Sequence, residues 1–312
     1  MSIIVFGSIN IDLVATVHRL PVAGETLLGR NFFQVPGGKG ANQAVALAKL
    51  SIPTQMVGCV GADSFGTELV NQLQASGVQT DHVLVDKTVS SGVAIIAVDD
   101  AGENQIIVIP GANGRVNPED VEERLLPLLS TATTLLLQFE IPISTVIAAA
   151  KAARQAGVTV ILDPAPANTN VPAELYLSVD IITPNEIEAE QLVGFAVDGR
   201  ESAEKAATVL LQRGVKCALI KLGAKGVFCA TPEESFFVPA FPVETVDTVA
   251  AGDAFNGALA AALFEGLSLH QAVVWGAAAG AMAATKPGAQ PSLPDRVAFD
   301  RFLKERGVGN RA

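Results

Sequence analysis

From Thr134 onward short apolar runs alternate with helix-forming runs. No other feature constrains the fold as tightly. Thr134–Leu137 reads as a strand, Ile143–Ala156 as a helix and Val158–Leu162 as a strand. Ile181-Ile182 precedes a helix from about Asn185, Ala203–Arg213 is helical, and Ala218–Leu222 is a strand. Parallel strands need long crossovers, and helical crossovers pack back onto the sheet. The alternation therefore predicts a mostly parallel sheet covered on both faces. Val227–Ala230 and Phe236–Val238 predict a hairpin, and three helical stretches follow Asp247, the last near Val297–Arg306.

The first hundred residues interrupt this pattern. Ile3–Phe6 reads as a buried strand, Ala41–Leu50 and Phe65–Ala75 as helices, and Met56–Val60 as a strand. Between Asp12 and Val35 no helical period runs, and Pro21, Gly24 and Gly29 punctuate the segment. Short strands or a hairpin apart from the main sheet are predicted there. Ser91–Val98 and Gln105–Ile109 form a second pair, joined by Asp99-Asp100-Ala101-Gly102-Glu103, a hairpin turn. The two insertions are expected to build one small β-subdomain on a single α/β body spanning 1–312.

Composition removes several function classes. Hydrophobic residues make up 49% of the 312 and charged residues 17%, which excludes intrinsic disorder. The net charge of -11 provides no global basic footprint, so no nucleic-acid partner is expected. Cys59, Cys217 and Cys229 are isolated, which argues against a disulfide framework or zinc knuckle and suits a reducing cytoplasm. The opening Met-Ser-Ile-Ile-Val-Phe-Gly-Ser has no basic n-region and reads as a strand, not a signal peptide. Ala254–Thr285 is interrupted by Asn256, Glu265, His270 and Gln271, so buried close-packed helices are expected rather than a membrane span. His18, His82 and His270 are scattered, with no metal-ligand spacing.

Three segments carry chemistry. In Asp247-Thr248-Val249-Ala250-Ala251-Gly252-Asp253, small residues lead into a helix. The N–H groups of Ala250, Ala251, Gly252 and Asp253 would point outward and, with the helix dipole, hold an anion. Asp253 beside them reads either as a base for an attacking hydroxyl or as a helix cap. In Val35-Pro36-Gly37-Gly38-Lys39-Gly40-Ala41-Asn42 the glycines admit a ligand, act as a hinge, or form a plain turn. This segment lacks the Lys-Ser/Thr ending of a Walker A loop and is not GxGxxG. Asn10 and Asp12, just past the first strand, read as holders of sugar hydroxyls or as an Asx turn.

Together these segments resemble the signatures of the ribokinase-like family of carbohydrate and nucleoside kinases. Gly37-Gly38-Lys39-Gly40-Ala41-Asn42-Gln43-Ala44 is similar to the family's N-terminal signature, and Asp247–Asp253 with Ala254-Phe255-Asn256-Gly257 to its C-terminal one. Thr183-Pro184-Asn185-Glu186-Ile187-Glu188 matches its Asn-x-x-Glu element, and Gly288-Ala289-Gln290-Pro291-Ser292 a tail motif of its ribose-phosphorylating members. The resemblance runs from about Ile3 to the last helix. It implies a ribokinase-like three-layer α/β sandwich with a mostly parallel central sheet, plus a small β-sheet lid from about 13–36 and 91–110.

It also implies transfer of the γ-phosphoryl of ATP to a sugar hydroxymethyl, with the 5-hydroxyl of D-ribose as the first expectation. A sister kinase for another sugar or a nucleoside is the nearest rival. A non-catalytic sugar- or nucleotide-binding protein is the more distant one. Asp253 falls at the family's catalytic base, and Ala250, Ala251 and Gly252 at its anion hole. Asn10, Asp12, Gly38, Lys39, Asn42 and Glu140 fall with Asp253 at sugar contacts. An amide at Asn10 suits a 2-hydroxyl, and Glu140 alternatively reads as a surface carboxylate. Asn185 and Glu188 match the element that organises magnesium, phosphates and water, or form a helix cap with a first-turn acid. Lys221, Gly223, Gly226 and Gly252 match nucleotide contacts, and Ala277 stands where some members place a polar residue near adenine. The family's ribose-phosphorylating members often carry Thr where Lys221 stands, so Lys221 reads as a phosphate-reaching charge or a surface residue. Asp247, Val249, Ala283, Lys286, Gly288 and Ser292 fall at the positions that hold an activating potassium, or simply pack as two loops. The lid implies a homodimer, and Gly37 and Gly38 are candidate hinges.

Overall fold

Every residue of Ser2–Phe6 (β1) is buried, as a strand covered on both faces requires. Its side chains alternate between two separate cores. Ile3 and Val5 join one, Ile4 and Phe6 the other. The computed structural model describes residues 1–308. The other strands are β2 (Asn10–Thr16), β3 (Asn31–Gly37), β4 (Thr54–Gly61), β5 (Gln79–Asp86), β6 (Gly92–Val98), β7 (Asn104–Ile109) and β8 (Ala132–Leu137). They continue with β9 (Thr159–Leu162), β10 (Ile181–Ile182), β11 (Cys217–Lys221), β12 (Gly226–Ala230) and β13 (Ser235–Pro239).

Nine of them form one sheet in the order β13-β12-β11-β10-β9-β8-β1-β4-β5. All pairings from β11 to β5 are parallel; only β12 runs the other way, pairing antiparallel with both β11 and β13. Helices α1 (Lys39–Lys49), α2 (Ser64–Ala75), α6 (Ala251–Phe264), α7 (Leu269–Ala283) and α8 (Arg296–Glu305) contribute to the core on one face. Helices α3 (Ile143–Gln155), α4 (Glu186–Val193) and α5 (Arg200–Gln212) contribute to the core on the other. The result is the expected three-layer α/β sandwich.

The Ala-rich stretch forms α6 and α7, which are packed closely. A Cβ on Gly276 would lie 2.8 Å from the Phe255 ring, and one on Gly257 2.6 Å from Ala46 Cβ. Trp275 stacks edge-on against Phe299 inside this layer. No helix among the described residues is long and apolar enough to cross a membrane.

The remaining strands form a separate sheet in the order β3-β2-β6-β7. β2 pairs antiparallel with β3 and parallel with β6, and β6–β7 is the predicted hairpin. β2 begins at Asn10, three residues before the predicted insertion, because only Gly7-Ser8-Ile9 separates it from β1. Asn10 and Asp12 therefore sit on the first strand of the small sheet, two residues apart on one face. Two elements escaped the sequence pattern. β5 is an edge strand, exposed or half-buried at most positions, and its only apolar run is the short Val83-Leu84-Val85 between polar residues. Residues 111–129 coil through short helical turns broken by Pro118 and Pro127, which hide any regular period.

Candidate active site

β1 lies between β8 and β4, where the strand order reverses direction, and the crevice beyond such a point is where open α/β sheets hold ligands. Five segments meet there: Gly7-Ser8 after β1, Gln138–Glu140 after β8, Asp163 after β9, and the N-termini of α1 and α6. Gly40 makes the meeting possible, because a Cβ there would lie 2.7 Å from Gly7 C.

Asp253 occupies the first turn of α6 and is buried. The residue before the helix is Ala250, in the left-handed region at φ 58, and no side chain caps this end. The cap reading of Asp253 is thus wrong: the carboxylate turns away from its own helix. Its Oδ2 accepts from Asn42 Nδ2 at 3.0 Å, and its Oδ1 from Gln43 Nε2 at 3.1 Å. Burial pushes its carboxyl up to about 6, against the pull of Lys39 and the two amides. The predicted anion hole needs one correction. Ala251 N–H donates to Thr248 O at 3.2 Å, since the turn into the helix closes on itself. Ala250, Gly252 and Asp253 N–H take no acceptor among the described residues.

Gln43 joins Asp253 to a second buried carboxylate. The same Nε2 donates to Asp163 Oδ2 at 3.0 Å, while Gln43 Oε1 accepts from Gln138 Nε2 at 2.7 Å. Asp163 Oδ1 in turn pairs with Lys221 Nζ at 3.0 Å. Lys221 is not a surface residue: its side chain is 13% exposed and Asp163's only 2%. A Cβ on Gly252 would lie 3.4 Å from Lys221 Nζ, so the ammonium flanks the start of α6.

The expected sugar contacts converge on the other side of Asp253. Glu140 accepts from Ser8 Oγ at 2.5 Å and from Lys39 N–H at 3.0 Å, so it faces inward rather than lying on the surface. Burial pulls the Lys39 ammonium down, but Asp253, Asp163, Glu140 and Glu188 together hold its pKa above the ordinary range. Burial pushes Asp12 up to about 7, with Glu140 and Asp253 adding to the effect. Gly37 gives Asp12 its room, since a Cβ there would lie 2.3 Å from Asp12 Oδ2. Gly38, at φ 88, makes the left-handed turn into α1. Asn10 is buried, and its Oδ1 accepts from Asn113 Nδ2 at 2.6 Å.

Asn185 and Glu188 form a reciprocal capping box on α4, so the cap reading of this pair holds in the geometry. It engages only Oε2 of Glu188, which receives Asn185 N–H at 2.8 Å. Burial and the nearby Asp163 raise Glu188, and Lys221 opposes them. Lys221 continues this line, forming a β-bridge with Asn185. Gly223 (φ 50) and Gly226 (φ 130) turn the chain from β11 to β12. Ala277 packs half-buried on α7.

The predicted cation positions come together as two loops clasped by Asp247. Its Oδ1 accepts Val249 N–H at 3.0 Å and its Oδ2 accepts Gly288 N–H at 2.8 Å. Ala283 O receives Lys286 N–H at 3.2 Å, and Ser292 is fully buried, bonded to Ala289 O.

The model of pfkB family carbohydrate kinases matches residues 1–296. The chain is 42% identical over 300 residues to the ribokinase of Haemophilus influenzae, covering 96% of this chain and 97% of that protein. It is 36% identical to the deoxyribokinase of Salmonella typhi, over 97% of this chain and 99% of that one. A structure of Arabidopsis thaliana ribokinase complexed with ribose and ATP superposes with a TM-score of 0.90 at 36% identity, covering 97% of this chain and 98% of that one.

Proposed function

Because this chain belongs to the pfkB family of carbohydrate kinases, we propose that it transfers the γ-phosphoryl of ATP to the 5-hydroxyl of D-ribose, giving ribose 5-phosphate and ADP. The observation that carries this reading is the place of Asp253. Its carboxylate lies between a polar cradle of Asn10, Asp12, Lys39, Asn42 and Glu140 and the start of α6 flanked by Lys221. A hydroxyl held in that cradle loses its proton to Asp253 as its oxygen attacks phosphorus. Backbone N–H groups at Ala250, Gly252 and Asp253, together with the α6 dipole, stabilise the charge on the transferring group. Gly38 lets the backbone approach the sugar, and Ala250 and Ala251 shape the turn that aims those donors.

Magnesium enters with the nucleotide. Glu188 keeps one carboxylate oxygen outside the capping box, which fits a divalent cation held mainly through phosphates and water. Asn185, Gly223, Gly226 and Ala277 are read as nucleotide contacts. Potassium is read at Asp247, Val249, Ala283, Lys286, Gly288 and Ser292. The donors there are carbonyls and one carboxylate, hard oxygen ligands suited to such an ion. The compartment is read as the cytoplasm, from the three free cysteines.

Turnover should be followed as ADP release with ATP and magnesium, adding ribose, 2-deoxyribose, fructose, tagatose or adenosine, each with and without potassium. Ribose-dependent turnover raised by potassium is the expected result. A better acceptor than ribose would move the substrate assignment, and silence with every acceptor would leave a binding protein. The deoxyribokinase relative makes 2-deoxyribose the rival to measure most carefully.

The small sheet, roughly 13–36 and 91–110, is read as a lid on one 1–312 domain that pairs with its copy in a homodimer. Phe32, Phe33, Ile95, Ile106, Ile107 and Val108 are all exposed on it, more apolar surface than an unpartnered sheet normally presents. Ile107, 62% exposed, is the point to charge. Ile107→Glu is expected to halve the mass measured by light scattering and to raise KM for the sugar. A mass unchanged from wild type would remove the lid from the interface.

A further inference from the structure

We infer that Asn113 is the positioning residue that fixes which end of the Asn10 amide faces the sugar, and through it the preference for ribose over 2-deoxyribose. This rests on the reading of Asn10 as a sugar contact. Asn113 lies in the helical turn after β7, 103 positions away in sequence, and is 1% exposed. Its amide pairs with the backbone of Ile9 in the manner of a neighbouring peptide. Oδ1 accepts Ile9 N–H at 2.9 Å and Nδ2 donates to Ile9 O at 3.1 Å. Only one amide orientation satisfies both contacts, because a flip would face donor with donor and acceptor with acceptor.

That orientation decides the next residue. Nδ2 of Asn113 has a second hydrogen, which goes to Asn10 Oδ1 at 2.6 Å. Asn10 Oδ1 is therefore committed as an acceptor, and its Nδ2 is the end that makes no protein hydrogen bond among the described residues. Asn10 therefore meets the sugar through Nδ2, as a donor to a hydroxyl oxygen. Gly92 on β6 keeps the pair in place from the other side. A Cβ there would lie 2.2 Å from both Asn10 Oδ1 and Asn113 Nδ2, so the backbone of the small sheet leaves room for this contact and no more.

The chemical consequence is selective. In a closed site a fixed donor facing a missing hydroxyl stays unpaired, whereas a freely rotating amide can find another partner or a water. Releasing Asn10 should thus weaken ribose and leave 2-deoxyribose nearly unchanged. A residue that merely supported the fold would weaken both sugars alike.

The experiment measures kcat/KM for ribose and 2-deoxyribose, with sugar Kd by calorimetry, in wild type, Asn113→Leu, Gly92→Ala and Asn10→Ala. The ribose-to-deoxyribose ratio is expected to fall roughly tenfold in Asn113→Leu, through KM and Kd for ribose, with 2-deoxyribose changed less than about twofold. Gly92→Ala, which keeps both amides but wedges them apart, should do the same and decides the matter should Asn113→Leu not fold. In an Asn10→Ala background, Asn113→Leu should change the ratio no further. Equal losses for both sugars, or an unchanged ratio, in Asn113→Leu and Gly92→Ala would overturn the inference. An Asn10→Ala ratio equal to wild type would instead sink the reading of Asn10 as a sugar contact. A collapsed Asn10→Ala ratio beside intact ratios in the other two would keep Asn10 and reject Asn113.

Discussion

Asp253→Asn is expected to cut kcat by about 10²- to 10⁴-fold, the contribution of a positioned general base, while ATP affinity stays within a few-fold. The substitution is sterically silent, and the site can absorb it. Asn42 Nδ2 now donates to Asp253 Oδ2, and Asn42 Oδ1 is buried without a partner. Turning the Asn42 amide over would let that orphaned oxygen accept from the new amide at 253. A loss of turnover in this variant therefore reports the base and not a collapsed site. The pH dependence follows from the same carboxylate. Burial holds Asp253 at about 6 in the folded chain against 3.8 for the free side chain. Wild-type kcat/KM should fall as pH drops below about 6, and the neighbouring carboxyl of Asp12, near 7, makes that limb a property of the coupled pair. The stability sign is the reverse of an ion-paired acid. Between 3.8 and about 6 the folded state binds the extra proton, so stability falls as pH rises through that window, and the full penalty is present at pH 7. Asp253→Asn lifts it. Its Tm should exceed that of wild type at pH 7.5, and the gap should close towards pH 4. Near-normal turnover would falsify the base assignment, and a lower Tm at pH 7.5 would contradict the burial argument.

How the sequence relates to this site differs from residue to residue. The three layers were legible because β1, β8, β9 and β11 are continuous apolar runs separated by helical ones. Asp253 and the small residues before it were legible because a helix start leaves its N–H groups free whatever the fold. The partners of Asp253 were not. Gln43 sits inside the quoted glycine-rich segment, yet nothing local distinguishes an inward amide on α1 from a solvent-facing one. Asp163 did carry a signal that went unused: an acid directly after the buried run Val158–Leu162 stands at a strand's carboxyl end. Asn113 had no signal at all, since its partner Ile9 is 104 positions away and its own segment has no period. Lys221 shows the limit most clearly. Its neighbours in sequence permit both a buried and an exposed ammonium, and only the approach of Asp163 decides between them.

Lys221→Met is expected to cost about 3 kcal/mol of stability, because removing one partner of a buried ion pair leaves the other charge uncompensated. Asp163 would retain only the Gln43 amide, in surroundings that leave it 2% exposed. The loss should appear as a Tm lower by several degrees. Stability and catalysis can then be separated by a second substitution. In Lys221→Met with Asp163→Leu both charges are gone, and an apolar pair of similar volume commonly recovers what the single change lost. Tm should return to within a few degrees of wild type. Turnover should not return if the ammonium also serves the nucleotide. Lys221 Nζ lies 3.4 Å from where a Gly252 Cβ would stand, at the helix start that receives the transferring phosphoryl in the proposed reaction. A point charge there attracts phosphate. KM for ATP should therefore stay raised in the double variant, with the sugar KM close to wild type. Recovery of both Tm and the ATP KM would make Lys221 a purely structural counter-ion for Asp163. A raised ATP KM beside a restored Tm would give it two roles, one for the buried carboxylate and one for the nucleotide.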